Sequence, residues 1–463
     1  MTDEVRDARA SRAGRRSTTT SNFGVSRRES HDASGFYERF EPPHLDDDET
    51  VLAPAPVAQP LVCGDARSMD TVADGSVALV VTSPPYFAGK QYEEELERDG
   101  VPASYLEYLE LLHDVFAECV RVLEPGGRIA VNVANLGRKP YRSLAADVIH
   151  ILQDRLGLLL RGEVVWQKGV GASGSCAWGS FRSASNPVLR DVTERVIIAS
   201  KGRFQRALSV DERAALGLPY ESTISTEDFM ALTLDVWQTP TESAKRVGHP
   251  APFPVELPEK LIELYTFEGD LVLDPFVGSG STLVAAAQLG RRYVGYDLDP
   301  GYIELAQARL DDEGEPIEPD AARLAGSRER VQDVLTDAGF ALDGPNVRVK
   351  GAGVTASWVA TDARGGRWVV LVGGSFLRHR GGLNTSDAVW RTLGQAHALR
   401  GAGERVLVLT SDLPRRRTEL DQAIRSAGPD AIFDVVDVFD PDALDRLATY
   451  ARGDVSGAAP GFW

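Results

Sequence analysis

Acids and glycines in the second half of the chain have a spacing that suits nucleoside binding. The apolar run Leu271-Val272-Leu273 predicts a buried strand that ends at Asp274. In the turn Phe276-Val277-Gly278-Ser279-Gly280, two glycines let the backbone approach a ligand closely. A second strand, over residues 292–296, ends at Asp297, where an acid can bind ribose hydroxyls. The loop is not Gly-x-Gly-x-x-Gly, so the pattern indicates a nucleoside with a cationic or amino-acid arm.

A second stretch places hydrogen-bond acceptors beside an aromatic ring. The strand predicted over Val77–Val81 leads into Thr82-Ser83-Pro84-Pro85-Tyr86, at the carboxyl end where open α/β sheets bind ligands. The two prolines remove two backbone donors, so this loop presents carbonyl groups. Ser83 adds an acceptor and Tyr86 a flat ring, which together suit the exocyclic amine of a planar base. The structural alternative is a Pro-Pro turn packed beneath a core tyrosine.

The elements that must position both stretches are those of an α/β sheet. Apolar runs predict strands near residues 61, 79, 129, 164, 196, 272 and 294. Helices are predicted at residues 104–123, 143–160, 254–267, 283–289 (capped by Ser281 or Thr282) and 301–310. The apolar face of the first helix is predicted to hold Leu106, Leu109, Leu112, Phe116, Cys119, Val120 and Leu123. The strand at residue 61, which ends near Asp65, can fill the slot beside the strand that ends at Asp297.

Composition limits the classes of protein. The three cysteines, Cys63, Cys119 and Cys176, have neither metal nor disulfide spacing, so we expect no metal site and a reducing, cytoplasmic setting. No apolar run approaches the ~18–20 residues of a membrane span. The net charge of −18 argues against a general nucleic-acid coat. Residues 121–206, however, hold 14 Lys/Arg against 6 Asp/Glu, which is compatible with one DNA-facing surface.

The chain of 463 residues is long enough for more than one domain. We expect a disordered or extended lead-in over residues 1–58, an α/β domain over 59–311, an acidic linker over 312–325 and a smaller α/β domain over 326–463. In the last part, helices are predicted at 326–338, 386–400 and 416–427, and strands near 347–350, 354–360, 367–372, 406–410 and 433–438.

These motifs resemble those of a known enzyme family. Thr82-Ser83-Pro84-Pro85-Tyr86 resembles the catalytic motif of amino-methylating DNA methyltransferases, and Asp274 to Thr282 resembles their S-adenosylmethionine loop. The segment His249-Pro250-Ala251-Pro252-Phe253-Pro254 is similar to the one that enters the helix ahead of that loop. The catalytic motif precedes the cofactor motif, which is the order of the family's β class. The resemblance implies a Rossmann-like, seven-stranded, circularly permuted methyltransferase fold with a smaller C-terminal α/β domain.

The resemblance also implies roles for individual residues. Cofactor binding falls to Asp65 at the adenine amine, Asp274 at the ammonium, Asp297 at the ribose, and Phe276, Gly278, Ser279 and Gly280 along the methionine arm. Ser83 and the Pro84 carbonyl orient the target amine, in a loop that Pro85 stiffens. Tyr86 stacks on a base extruded from double-stranded DNA. None of the cysteines follows a proline, so the Pro-Cys nucleophile of carbon-5 methylation is absent.

The target and partners follow from the same resemblance. The motif begins with Ser83, where many adenine-N6 enzymes carry Asp, and Ser is similar to the cytosine-N4 set. We therefore expect cytosine N4 as the target, with adenine N6 as an alternative. In the basic, glycine-rich target-recognition region (residues 169–245), the DNA-contact candidates are Trp178, Arg182 and Arg190. A cognate restriction enzyme is a further partner that the resemblance suggests, and the oligomeric state stays open.

Three other interpretations remain at this stage. The chain could methylate RNA or a protein amide, or it could be an inactive methylase fold that binds DNA. The C-terminal part resembles a PD-(D/E)xK nuclease core, with Asp362 ahead of the strand at 367–372. Gly373-Gly374-Ser375 stand where Glu-x-Lys would hold a metal. The sequence therefore predicts a degenerate nuclease-like domain that packs, binds DNA or binds a partner.

Overall fold

The computed structural model describes residues 45–53, 57–85, 104–135, 141–168, 179–241, 253–316, 326–377, 381–455 and 461–463. Tyr86, Trp178 and Cys176 lie outside these ranges, as do residues 1–44 of the predicted lead-in and most of the predicted acidic linker. Residues 46–463 form one compact unit, which contains two sheets.

The first sheet contains eight strands within the described residues. They are β1 (Leu61–Cys63), β2 (Val77–Thr82), β3 (Leu123–Val133), β4 (Leu159–Gln167), β5 (Thr193–Ser200), β6 (Val236–Gln238), β7 (Leu271–Asp274) and β8 (Arg292–Asp297). Their order across the sheet is β1-β8-β7-β2-β3-β5-β4-β6. Strands β1, β8, β7, β2 and β3 are parallel, and β5 runs antiparallel to both of its neighbours. All seven predicted strands are present, and β6 is an addition at the edge.

The N-terminal strand completes the sheet as expected. Strand β1 pairs with β8 in parallel, with Leu61 opposite Gly295 and Cys63 opposite Asp297. A segment from the start of the chain thus takes the position that would otherwise follow the helix after β8. The prediction of a circularly permuted, Rossmann-like sheet is confirmed.

Helices cover both faces of this sheet. They are α1 (Tyr105–Val122), α2 (Leu144–Ile149, continued by a π-helical turn over His150–Arg155), α3 (Val210–Ala215), α4 (Thr226–Leu232), α5 (Glu256–Tyr265), α6 (Ser281–Gln288) and α7 (Pro300–Glu313). Strand residues alternate between two buried clusters: Val80 and Leu273 lie in one, and Leu79 and Val272 in the other. Burial on both faces explains why the strands read as continuous apolar runs.

Several predicted boundaries are wrong. The helix expected over residues 143–160 ends at Arg155, because Gly157 adopts a positive φ of 66° and β4 begins at Leu159. Helix α7 runs past its expected end to Glu313, whose carboxylate pairs with Arg309 at 3.1 Å. Helix α4 and strand β6 were not predicted, because both are short and α4 exposes apolar residues.

The predicted apolar face of α1 is also wrong in part. Leu106 is 73% exposed, whereas Tyr108 and Val115 are fully buried. The helix is rotated so that Tyr108 faces inward, where its hydroxyl finds an acceptor. An aromatic side chain with a polar tip can be buried when that tip is hydrogen-bonded.

The second sheet has five strands in the described part of the chain. They are β9 (Ala341–Arg348), β10 (Thr355–Thr361), β11 (Arg367–Val372), β12 (Val406–Thr410) and β13 (Asp434–Asp437), in the order β13-β12-β11-β10-β9. The first three of that order are parallel, and β11-β10-β9 form an antiparallel meander. The accompanying helices are α8 (Gly326–Ala338), α9 (Ser386–Gly401), α10 (Glu419–Ala427) and α11 (Pro441–Ala451). The last of these was missed by the sequence prediction.

Candidate active site at the carboxyl edge of the first sheet

The two chemically distinctive stretches meet because β2 and β7 are adjacent parallel strands. Leu79 lies opposite Val272 and Val80 opposite Leu273, so the residues after both strands emerge at one edge. The Thr82 hydroxyl donates to Oδ1 of Asp274 over 2.7 Å, and the Thr282 hydroxyl donates to the Val81 carbonyl over 3.3 Å. Two side-chain hydrogen bonds therefore tie the serine-proline turn to the glycine loop.

Asp274 is fully buried at this junction. Its Oδ1 also accepts from the Phe276 N–H at 3.1 Å, while Oδ2 has no hydrogen-bond partner among the described residues. Burial raises the pKa of Asp274 to about 7, against the opposing hydrogen bonds from Thr82 and Phe276. A buried carboxylate with one oxygen unsatisfied is a site that a cationic or donor group would complete.

The glycine loop begins helix α6 without a side-chain cap. Gly280, at φ 82°, is the N-cap residue, and an added Cβ would lie 3.0 Å from Cβ of Ala306 on α7. The Ser281 hydroxyl instead donates to the Phe253 carbonyl at 2.9 Å, so the expectation that Ser281 or Thr282 caps this helix is wrong. Gly278 also has a positive φ of 47°. Both glycines occupy backbone conformations that side chains disfavour.

Asp297 closes the other side of this loop. Its Oδ2 accepts from the Gly278 N–H at 2.9 Å, and its Oδ1 accepts from the Asp299 N–H at 3.0 Å. Burial raises the pKa of Asp297, while these two backbone donors oppose the rise. Ser279 is buried beside it, and its carbonyl accepts from Nη1 of Arg309 at 2.9 Å. The loop is therefore fixed from both ends.

Asp65 follows β1, which borders β8, the strand that ends at Asp297. Its carboxylate forms a two-pronged contact with Arg67, at 2.9 Å from Nε and 2.6 Å from Nη2. The hydrogen bond from Arg67 lowers the pKa of Asp65. Its expected contact with an adenine amine would use the oxygen lone pairs that Arg67 does not occupy.

The serine-proline turn is held from below by α1. The Tyr108 hydroxyl donates to the Pro85 carbonyl over 2.8 Å, and both Tyr108 and Pro84 are buried. Burial raises the pKa of Tyr108, so the phenol keeps its proton for this bond. Tyr86, the residue that follows, lies outside the described residues.

A buried polar chain that the sequence analysis missed lies next to Ser83. Nδ2 of Asn132, near the end of β3, is 3.4 Å from Oγ of Ser83 and 2.6 Å from Oε2 of Glu194 on β5. Nζ of Lys168 lies 2.6 Å from Oε1 of Glu194. The available signal was a polar residue inside the apolar run Ile129–Val133.

The DNA-contact candidates lie on the excursion between β4 and β5. Arg182, with a positive φ of 53°, and Arg190 are exposed, and Trp178 lies outside the described residues. Trp166 and Trp237 are buried, and their indole N–H groups donate to the carbonyls of Thr239 and Leu232. The exposed arginines are available to a ligand, whereas these two tryptophans belong to the core.

Within the described ranges, no group of three or more His, Cys, Asp or Glu residues could hold a metal ion. Asp362 serves the turn between β10 and β11: its carboxylate accepts from the N–H groups of Arg364 and Gly366 and from the indole of Trp368. Over the same residues, no helix has the length and apolar character that crossing a membrane requires.

Comparison with known proteins identifies the family. The family model described as DNA methylase, for enzymes that act on N6 or N4, matches residues 77–308, which include both motifs and the strands that join them. This chain belongs to the amino-methylating DNA methyltransferases. The match spans half of the chain and ends at α7, before the second sheet begins.

Individual relatives support membership in the methyltransferase family. The type II methyltransferase M.MthZI of Methanothermobacter thermautotrophicus is 31% identical over 54% of this chain and 75% of its own length. The DNA adenine methyltransferase YhdJ of Escherichia coli K12 is 27% identical over 55% of this chain and 83% of its own. A DNA modification methylase structure from Thermus thermophilus, complexed with S-adenosyl-L-methionine, has 30% identity and a TM-score of 0.42, covering 55% of this chain and 93% of its own.

S-adenosylmethionine is the methyl donor of this methyltransferase, and the described residues fit it. The unsatisfied, buried Oδ2 of Asp274 calls for a donor such as an amino-acid ammonium. Gly278 and Gly280 leave room where side chains would stand, and Asp297 lies at the end of the second strand. This is the position that binds ribose in doubly wound sheets.

Proposed function

We propose that this protein is a site-specific DNA methyltransferase that modifies the exocyclic amine of a flipped base in double-stranded DNA, with cytosine N4 as the target. The junction of Thr82 with Asp274, which joins the serine-proline turn directly to the cofactor loop, is the observation that carries the proposal. It sets the acceptor-rich turn beside the methyl donor without any intervening element.

The chemistry needs positioning more than activation. S-adenosylmethionine supplies a methyl group already activated on a sulfonium, so no covalent nucleophile is required. Asp274 holds the ammonium, Asp297 the ribose and Asp65 the adenine amine, while Phe276, Gly278, Ser279 and Gly280 follow the methionine arm. Holding donor and acceptor in line in a water-poor pocket lowers the barrier by pre-paying orientation.

The acceptor side is formed by the turn after β2. Ser83 and the Pro84 carbonyl hold the Watson–Crick edge of the extruded base, and Tyr86 stacks on its face. Pro85, whose carbonyl is fixed by Tyr108, stiffens the turn. The rigid, buried backbone at Pro84 supports the idea of a preorganised acceptor.

Cytosine N4 is favoured by the residue that begins the motif. Ser83 is neutral and short, whereas many adenine-N6 enzymes of this family carry Asp there. One relative of this chain is named as a DNA adenine methyltransferase, so family membership alone does not choose the base. Adenine N6 is therefore the competing outcome in the experiment below.

DNA is proposed to lie along the target-recognition region, residues 169–245. Arg182 and Arg190 are exposed there, and residues 121–206 carry a basic excess inside an acidic chain. Exposed arginines suit bidentate contacts with guanine or phosphate. A cognate restriction enzyme would be the natural partner of such an activity.

The second sheet is proposed to be a degenerate nuclease-like domain, over residues 326–463, that packs on the methyltransferase part. Two observations support the loss of nuclease chemistry: the Asp362 carboxylate is used by its own turn, and Gly373-Gly374-Ser375 follow β11. The Glu227 carboxylate of α4 accepts from the N–H groups of Ser327 and Phe376, which supports the packing role.

Expression in a host that lacks DNA methylation, followed by direct reading of modified bases and their contexts, tests the proposal. We expect N4-methylcytosine at one sequence, and none with an Asp274→Ala variant. N6-methyladenine at one sequence would overturn the choice of base. Unmodified DNA from a chain that binds S-adenosylmethionine would overturn DNA as the substrate.

A further inference from the structure

Four polar side chains form a row along the carboxyl edge of the first sheet. Ser83 follows β2, Asn132 lies near the end of β3, Glu194 near the start of the antiparallel β5, and Lys168 follows β4. Because these four strands are neighbours, the side chains connect in sequence at 3.4, 2.6 and 2.6 Å. The row ends at the residue that begins the catalytic motif.

The chemistry of Glu194 fixes the orientation of the Asn132 amide. An ionised carboxylate can only accept hydrogen bonds, so the amide must turn its NH₂ group toward Oε2 of Glu194. Lys168 pairs with the other carboxylate oxygen and compensates the charge of Glu194, which is 6% exposed. The same NH₂ group has a second proton, and this proton is directed at Oγ of Ser83.

Ser83 must therefore act as an acceptor toward Asn132. Asn132 is 3% exposed, so its amide is shielded from competing water. A hydroxyl has one proton and two lone pairs, and a lone pair that faces Asn132 turns the proton away from it. The Asn132 contact thus biases the direction in which Ser83 can donate.

We propose that Asn132, held by Glu194 and Lys168, is a positioning residue that makes Ser83 a hydrogen-bond donor to the ring nitrogen of the target base. This inference rests on the proposed function and refines the role of Ser83 given there. The Pro84 carbonyl then accepts from the exocyclic amine. One donor beside one acceptor matches the amidine edge that cytosine and adenine share.

The same pair rejects the other two bases. Thymine and guanine present a ring N–H beside a carbonyl oxygen, which is the reverse arrangement. A donor would then face a donor and an acceptor would face an acceptor, with both protein groups left unpaired in a closed pocket. Sites built in this way discriminate strongly against a mismatched partner. The row accordingly selects amino bases before any methyl transfer occurs.

A base analogue separates this role from a merely structural one. The substrate is a DNA duplex that contains the site identified by base-resolution sequencing, with the target cytosine either intact or replaced by 3-deazacytosine, which has C–H in place of N3. Single-turnover methylation rates are measured for the wild type and for Asn132→Ala on both duplexes. If the modified base is adenine, 1-deazaadenine takes the same place.

We expect Asn132→Ala to slow methylation of the normal base by about tenfold to a hundredfold, which corresponds to one hydrogen bond in a dry site. The analogue should slow the wild type by a similar factor, and the variant should lose little more on the analogue. Such non-additivity is the mark of two changes that break one interaction. Cofactor affinity and thermal unfolding of the variant report whether the fold is intact.

Two results would overturn the inference. One is an unchanged rate for Asn132→Ala on the normal base. The other is an equal proportional loss on both duplexes, because an effect independent of the ring nitrogen is not mediated by donation to it. If Asn132→Ala does not fold, Ser83→Ala tested on the same two duplexes takes its place and should show the same loss of sensitivity to N3. Wild-type protein that methylates neither duplex would instead overturn the proposed function itself.

Discussion

At the residue scale, Asp274 couples cofactor affinity to pH. Burial raises the pKa of this carboxyl from 3.8 to about 7, so the folded protein without cofactor favours the protonated form below neutrality. The stabilising contribution of that protonated form is fully present below the ordinary pKa and is lost as the pH rises through about 7. A cationic ligand prefers the ionised form and must work against protonation at low pH.

We therefore expect the affinity for S-adenosylmethionine to rise from pH 5.5 to pH 8 and to level off above about 7. Isothermal titration calorimetry at several pH values measures the profile. Asp274→Asn should bind more weakly and with a flatter profile. Thr82→Val, which removes a hydrogen bond to Oδ1, should shift the rise to higher pH. A pH-independent wild-type affinity would contradict this role of Asp274.

Tyr86 offers a second test at the same scale. Stacking of an aromatic ring on a base is worth about 1–3 kcal/mol, so Tyr86→Ala should reduce kcat on DNA at least about tenfold to a hundredfold. Tyr86→Phe keeps the ring and should retain most of the activity. Cofactor affinity should change little in either variant. Equal activities of the alanine and phenylalanine variants would argue against stacking.

At the element scale, the close packing of α6 against α7 depends on Gly280. Its positive φ costs an alanine about 1–2 kcal/mol, and the new Cβ would also meet Ala306 at 3.0 Å. We expect Gly280→Ala to destabilise the protein by more than this strain alone and to weaken cofactor binding, because the loop must shift. Chemical denaturation and cofactor titration measure the two effects.

Gly217→Ala is the matched control for that substitution. Gly217 has a positive φ of 68°, but an added Cβ would meet nothing within 4 Å. It should show the strain cost without the steric cost and leave cofactor affinity unchanged. Equal destabilisation by the two alanines would mean that contact with α7 is unimportant.

At the scale of the whole molecule, one carboxylate connects the two sheets. Glu227 on α4 accepts from the Ser327 N–H in the first turn of α8 at 3.0 Å, from the Ser327 hydroxyl, and from the Phe376 N–H at 2.6 Å after β11. Backbone N–H groups in the first turn of a helix lack partners within that helix. The carboxylate therefore satisfies donors from two separate elements of the C-terminal part.

Glu227→Ala should destabilise this connection by about 1.5–3 kcal/mol, the usual worth of hydrogen bonds to a charged group. We expect earlier unfolding or limited proteolysis of the C-terminal part, with cofactor affinity preserved. Glu221→Ala, which removes an exposed carboxylate nearby, is the control and should have little effect. Identical protease sensitivity of the two variants would show that Glu227 does not hold the parts together.

The sequence by itself determined the strands and the two motifs, because buried parallel strands are apolar throughout and the glycine and proline turns have few alternative conformations. It also determined the permutation, since β1 supplies a strand that the segment after α7 lacks. Boundaries were less accurate where tertiary contacts decide them. Leu106 is exposed and Tyr108 buried because the Pro85 carbonyl lies where the Tyr108 hydroxyl can reach it.

The tertiary structure alone decided which side chains act on one another. Thr82 and Asp274 are far apart in sequence and meet only because β2 and β7 are neighbours. Asn132, Glu194 and Lys168 carry no motif, and each would be an ordinary polar residue if its strand lay elsewhere. The row that leads to Ser83 depends on the order β2-β3-β5-β4, which hydrogen-bond pairing between distant strands sets and local sequence does not.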